Sequence, residues 1–299
     1  MEKILVTGAS GLLGSKLVKA LSDGYEVIPT HNTHPSHPDS IRMDIVDGNE
    51  VARVLSAVKP EFVVHAAAET NVDKCETDRK LAWSVNAEGT RNIAEACGKI
   101  GAKLVYVSTD YVFDGKKGLY SENDEANPVN YYGVTKLEGE RFVRELCEDF
   151  IIVRTSVLYG WHPNRANFVT WVVDSLRNGK AISVAEDHHN SPTLADSLAE
   201  MIVEIVGVDA TGVYHLAGSE RISRCDFAMK IADVFGFDRS LVTPVKMENL
   251  KVWVAKRPRD SSLSVDKVKH ELKACLLDVR EGLHRMQQAY ANGYLRLTY

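Results

Sequence analysis

The sequence predicts an α/β protein, a doubly wound parallel sheet (Rossmann-like) with a smaller mixed α/β lobe on its C-terminal side. Two observations carry that reading. Short, β-branched, near-continuous apolar runs alternate with helical patterns through the first half, and a glycine-rich turn, TGASGLLG, joins the first run to the first helix. Strand, helix and strand repeated in this way mean parallel pairing through right-handed crossovers. Apolar runs without alternation suit strands covered on both faces.

In chain order, KILVT (Lys3–Thr7) reads as a buried strand and Leu12–Leu21 as the helix after it. A second strand spans Glu26–Thr30, and a polar loop of prolines and histidines leads to IRMDI (Ile41–Ile45). A helix is expected near Asn49–Val58, a strand over Phe62–Ala68, one helix over roughly Leu81–Gly98 and a strand over Lys103–Asp110. A loop rich in Gly, Asp and Asn precedes the helix carrying NYYGVTKLEGE (Asn130–Glu140), and Phe150–Ser156 is the next strand. Beyond Ser156 the rhythm loosens. Helices are expected near Asn167–Arg177, Thr193–Val206, Arg224–Phe235 and Asp278–Ala291, with short strands near Ala181–Ala185, Val213–Leu216 and Leu241–Val245. This divides the chain into a nucleotide-binding half, 1–156, and a mainly substrate-binding lobe, 157–299, with a segment near 190–207 returning to the first half.

Composition narrows the function classes. The 299 residues are 44% hydrophobic and 26% charged, ordinary for a globular protein. A net charge of −5 argues against a general nucleic-acid binder, although a local pocket can still be basic. No window approaches the roughly 18 apolar residues of a membrane span, and the apolar run in MEKILVTGAS is too short for a signal peptide. The five scattered cysteines, Cys75, Cys97, Cys147, Cys225 and Cys275, read as reduced thiols of a cytoplasmic protein. His31, His34 and His37 lie in a loop with two prolines and lack helical spacing, so no metal is expected. Assembly stays open, with a homodimer beside the monomer.

The glycine turn is the first functional signal. Gly8 allows the turn off the strand, Gly11 lets backbone approach a pyrophosphate, and Gly14 permits close helix–sheet packing. An NAD-specific site wants a carboxylate at the end of the second strand. Thr30, His31 and Asn32 supply none, which favours NADP(H); with no arginine there, NAD(H) stays open.

The second signal is chemical. Reducing a ketone needs a proton for the developing alkoxide, and a nearby cation favours a phenolate. Positions i and i+4 share a helix face, so Tyr132 has Lys136 as its neighbour, whereas Tyr131 has the uncharged Thr135. A hydroxyl at the C-terminal end of the fifth strand could polarise the carbonyl. Ser108 and Thr109 are both candidates, but adjacent strand residues face opposite ways, so only one can serve.

The spacing TGxxGxxG departs from GxGxxG. Together with HAAAETNVDKCE, VSTDYVFDG, NPVNYYGVTK, SPT and AKRPRDSSL, it resembles the extended short-chain dehydrogenases/reductases and, more narrowly, the dTDP-4-dehydrorhamnose reductases, over roughly Lys3–Leu272. The resemblance implies that Ser10, Gly11, Leu12 and Leu13 wrap the pyrophosphate, with Gly8 and His31 also on the cofactor. It sets Asp44 and Ile45 beside the adenine and Ala66, Ala67 and Ala68 along the path to the ribose, with Asn86 bracing the helix beneath. It selects Thr109 over Ser108, makes Tyr132 and Lys136 both catalytic and cofactor-binding, and turns Tyr111 toward the sugar. Arg257 and Arg259 are implied to grip the substrate diphosphate, against the plainer alternative of a solvated charged loop. Asp44 could likewise be a simple strand-end cap. Many members of the group carry Trp where this chain has Val157, so the sugar contact there departs from the pattern. The implied activity is NADPH-dependent reduction of dTDP-4-dehydro-L-rhamnose to dTDP-L-rhamnose. Two alternatives stand beside it: another nucleotide-sugar reductase or epimerase, and a non-catalytic NADP-binding regulatory subunit resembling the beta subunit of methionine adenosyltransferase.

Overall fold

The structure, a computed structural model, describes residues 1–35, 37–208, 210–250, 253–273 and 276–291. Its centre is a seven-stranded sheet of β1 (Lys3–Thr7), β2 (Glu26–His31), β3 (Ile41–Arg42), β4 (Phe62–His65), β5 (Lys103–Thr109), β6 (Phe150–Thr155) and β7 (Gly212–His215). The order is β7-β6-β5-β4-β1-β2-β3 and every pair is parallel. The chain therefore reverses its direction of travel between β1 and β4, and doubly wound sheets bind ligands at such a switch point.

The longer helices are α1 (Leu12–Leu21), α2 (Gly48–Val58), α3 (Gly89–Ile100), α4 (Tyr131–Leu146), α5 (Phe168–Arg177), α6 (Ala195–Val206), α7 (Arg224–Phe235) and α8 (Val279–Ala291). Side-chain alternation explains the unbroken apolar strands. Ile4 and Val6 of β1 pack with Leu17 of α1 and Ile202 of α6 on one face, while Leu5 packs with Leu55 of α2 and Ile93 of α3 on the other. The Lys16–Asp196 ion pair, 3.2 Å, ties α1 to α6. A separate core of Val172, Phe227, Ile231 and Leu283 holds α5, α7 and α8 together, joined by Ile182 and Val184 from the pair formed by Ile182–Ala185 and Val242–Val245.

Three expected elements differ. The strands expected to reach Ile45 and Ala68 end at Arg42 and His65: β3 pairs with β2 only through Thr30 and His31, and β1 ends at Thr7, opposite His65. The single helix expected over Leu81–Gly98 is broken into Arg79–Trp83, a π-helical turn at Ser84–Glu88, and α3. That turn points the buried Asn86 amide across to two other segments, and π turns commonly mark functional sites. The short helix Val72–Thr77, capped by Asn71, was not signalled by periodicity, having too few turns to show one. Cys75, Cys97, Cys147 and Cys225 are free and buried, and Cys275 lies outside the described residues. Among the described residues no helix is long and apolar enough to cross a membrane.

Candidate active site

At the switch point the ends of β1 and β4 are stitched together. The buried Thr7 hydroxyl meets His65 Nδ1 at 2.7 Å and accepts the Ala67 N–H at 3.2 Å. Gly8 follows with φ +67, where a Cβ would stand 2.8 Å from Ala67 Cα, so neither the conformation nor the space admits a larger residue. Helix α1 then starts at Gly11 with no side-chain cap and no acidic residue in its first turn. Its first N–H groups, the positive end of the helix dipole, have no capping side chain, and this donor set fits a pyrophosphate. Leu13 is buried in the core beneath, and Leu12 and Ser10 are half-buried.

Around this loop stand the other residues expected at a cofactor. Thr30 turns inward to the Val6 carbonyl at 3.3 Å, and His31 Nδ1 meets Ser40 Oγ at 2.9 Å, so no carboxylate closes the end of β2. Asp44 accepts the Val46 N–H at 3.0 Å in a local turn, the capping job that was its plainer alternative. Ile45 is buried against Gly89, and Ala66, Ala67 and Ala68 are half-buried along the switch point. Asn86 accepts the Glu69 N–H at 2.8 Å and donates to the Glu69 carbonyl at 3.0 Å and to Thr135 Oγ1 at 3.1 Å. One buried amide thus fixes the segment after Ala68 to α4.

Helix α4 is capped by Asn130, whose side chain accepts the Gly133 N–H at 2.9 Å. A Cβ at Gly133 would run into the Tyr111 carbonyl and one at Gly139 into the Tyr106 hydroxyl, so the helix lies close on β5. The two adjacent tyrosines part company. Tyr131 turns to the surface helix, under the Arg79 guanidinium at 4.8 Å, and its N–H donates to Glu76 at 3.0 Å. Tyr132 packs edge-on to Tyr111, ring centroids 6.1 Å apart, with the Thr109 hydroxyl on the side that favours its phenolate. Ser108 points the other way and donates to Glu140 at 2.6 Å.

One electrostatic expectation is overturned. Lys136 was expected to lower the phenol's pKa, but burial raises that of Tyr132 well above 10, and only the Thr109 hydrogen bond pulls it back. The same burial drags Lys136 down to about 7, against the opposing pull of the Glu140 carboxylate. The Lys136 ammonium stands 4.2 Å from the centroid of the Tyr106 ring.

Next to Thr109 lies a hub that sequence reasoning missed. The buried Asp110 carboxylate accepts from Ser261 Oγ at 2.5 Å, Ser156 Oγ at 2.9 Å and Thr109 Oγ1 at 3.1 Å. Burial raises its pKa, and those hydroxyls pull it back. Arg224, at the start of α7, donates from Nε to Asn190 Oδ1 at 2.8 Å, and its charge favours the phenolate of Tyr111. Asp110 stood in plain view between Thr109 and Tyr111. Arg224 and Asn190 come from segments whose sequences show no spacing that would unite them. Arg257 is held by Asp73 at 2.9 Å and by the Ala255 carbonyl at 2.9 Å, while Arg259 is exposed, 3.4 Å from Asp187.

A family model described as RmlD substrate binding domain matches residues 1–292. The chain belongs to the RmlD family. The dTDP-4-dehydrorhamnose reductase of Aggregatibacter actinomycetemcomitans is 34% identical to this RmlD chain, over 90% of the chain and 92% of that protein. A dTDP-4-dehydrorhamnose reductase from Bacillus anthracis, solved in complex with NADP, superposes with a TM-score of 0.88 at 34% identity, covering 96% of this chain and 99% of that one. Methionine adenosyltransferase 2 subunit beta of Bos taurus is 30% identical, over 89% of this chain and 81% of that protein. The chain is thus similar both to reductases of that name and to a subunit of methionine adenosyltransferase.

Proposed function

We propose that the chain is an NAD(P)H-dependent oxidoreductase that reduces the 4-keto group of dTDP-4-dehydro-L-rhamnose, using NADPH and a tyrosine proton donor. The observation that carries this reading is the convergence of Tyr132, Thr109 and Tyr111 beside a glycine loop whose free N–H groups suit a pyrophosphate. Kinship to reductases of that name, one of them NADP-bound, agrees with it. Residues 1–156 hold the cofactor and the lobe from 157 mainly the sugar, with α6 returning to α1.

The cofactor, when bound, supplies the hydride. Gly8, Ser10, Gly11, Leu12 and Leu13 would hold its pyrophosphate, Asp44, Ile45 and His31 would border its adenosine, and Ala66 to Ala68 would line its ribose path. Tyr132 is a neutral phenol at physiological pH because burial keeps its pKa high, so the proton to be given is in place. As the substrate oxygen gains charge, Tyr132 donates that proton. The phenolate left behind is stabilised by the Thr109 hydroxyl and by the charged form of Lys136. Lys136, held near 7, is poised to shift its protonation as the site fills.

The test is NADPH and NADH oxidation with a panel of nucleotide 4-ketosugars. Turnover is expected with the dTDP-4-keto-6-deoxy sugar, and NADPH should bind at least as tightly as NADH, because no carboxylate at the end of β2 repels a 2′-phosphate. A tenfold preference for NADH, about 1.4 kcal/mol, overturns the cofactor assignment. Oxidation with none of the sugars overturns the reductase reading in favour of the regulatory one.

Arg257 is assigned to the substrate diphosphate. Arg257→Ala is expected to raise the Michaelis constant strongly while leaving NADPH affinity in place. Its bond to Asp73, which also accepts the Val254 and Ala255 N–H groups at 2.9 Å, means that a melting temperature belongs beside the kinetics. Equal loss of both affinities, with a lower melting temperature, shows that the loop has come loose instead.

A further inference from the structure

Within the second lobe the segment DHHNSPT carries a side chain that nothing above uses. His188 is 2% exposed, yet neither of its ring nitrogens has a hydrogen-bond partner. Buried polar atoms are almost always paired, because an unmet donor or acceptor away from water is costly. The ring stands edge-on to Trp253, centroids 5.5 Å apart, and Trp253 in turn lies 5.5 Å from the Arg257 guanidinium. The His188 carbonyl accepts the Arg224 N–H at 2.9 Å, so the imidazole and the Arg224 side chain spring from joined backbone. Both guanidiniums are close enough to disfavour a charged imidazole. Arg224 continues to Tyr111, and Tyr111 to Tyr132, so His188 lies at the far end of a row that starts at the proton donor.

We propose that His188 is a substrate-binding residue, donating a hydrogen bond to the diphosphate of the nucleotide sugar between Arg224 and Arg257. The inference rests on the nucleotide-sugar reading above. Two guanidiniums of like sign beside one another attract an anion, and a diphosphate offers each a separate oxygen. A neutral imidazole adds a directed N–H without a third positive charge. Trp253 fixes the ring plane from the side, so the donor need not be ordered when the ligand arrives.

Calorimetric titration of the full chain with dTDP tests this. His188→Phe keeps a ring against Trp253 and removes both nitrogens; His188→Leu is the apolar alternative should Phe not fit. Either is expected to weaken dTDP at least tenfold, with NADPH affinity unchanged and no loss of melting temperature, since an unmet buried polar group has been removed. His188→Gln, which restores an uncharged N–H donor, should recover most of that affinity. Wild type that binds dTDP while the apolar variants bind it equally well overturns the role of His188 alone. Wild type that binds neither dTDP nor any nucleoside diphosphate overturns the nucleotide-sugar reading along with it. A Gln variant no better than Phe overturns the hydrogen bond and leaves shape as the only contribution of the ring.

Discussion

Tyr132→Phe is expected to lower turnover about 10²–10⁴-fold, the range a positioned acid supplies, with NADPH affinity and melting temperature close to wild type. The phenol contributes a proton, while its ring packs edge-on to Tyr111, and phenylalanine keeps that ring. Tyr131→Phe should retain most activity: its ring lies under Arg79 on the far side of the helix start, and its anchoring bond to Glu76 is made by backbone. Lys136→Ala should harm both turnover and cofactor binding. It also empties a buried position against Tyr106, so its melting temperature should fall, unlike that of Tyr132→Phe. Turnover and melting temperature of the three variants decide the matter. An inactive Tyr131→Phe beside an active Tyr132→Phe would sink the assignment.

That the two tyrosines diverge was legible from helical spacing alone. So was the sheet: Ile4–Leu5–Val6 and Phe62–Val63–Val64 are apolar at successive positions because helices cover both faces. What spacing could not give was electrostatic balance. A cation four residues from a phenol suggests a lowered pKa, but burial is the largest influence on both groups, raising Tyr132 and lowering Lys136, and sequence does not report depth. The hub at Asp110 was hidden for a different reason. Its partners Ser156, Asn190 and Ser261 are separated from it by 46 to 151 residues, and only the folded lobe brings them together. The π turn at Ser84–Glu88 was likewise beyond reach, since its residues keep an ordinary helical appearance.

The largest stability effect is expected away from the reacting groups, at Glu140, one turn beyond Lys136. Its carboxylate has no exposed surface and accepts from Arg154 Nε at 2.9 Å, Arg154 Nη2 at 2.8 Å, Ser108 Oγ at 2.6 Å and Arg144 at 3.0 Å. Burial alone would raise its pKa; the Arg154 pair, aided by Ser108 and Arg144, more than offsets this and holds it below the ordinary value. Glu140→Ala leaves the Arg154 guanidinium buried without its counterion and is expected to cost about 3–5 kcal/mol in denaturant unfolding. Glu140→Ala/Arg154→Met should be more stable than Glu140→Ala, because the stranded charge has gone. The sign of the pH effect follows from the lowered pKa. A carboxyl stabilised in its charged form contributes stability above its unfolded pKa of about 4.3 and loses it as pH falls through the lower folded value. Wild type should therefore lose stability below about pH 4 more steeply than Glu140→Gln. The same variant reaches the chemistry, because Glu140 favours the charged form of Lys136 and its loss lets burial draw that ammonium further down. Turnover of Glu140→Gln at neutral pH is expected to fall and to recover in part under more acid conditions, where Lys136 is charged again. A variant that is destabilised but keeps the wild-type pH profile would confine Glu140 to holding the fold.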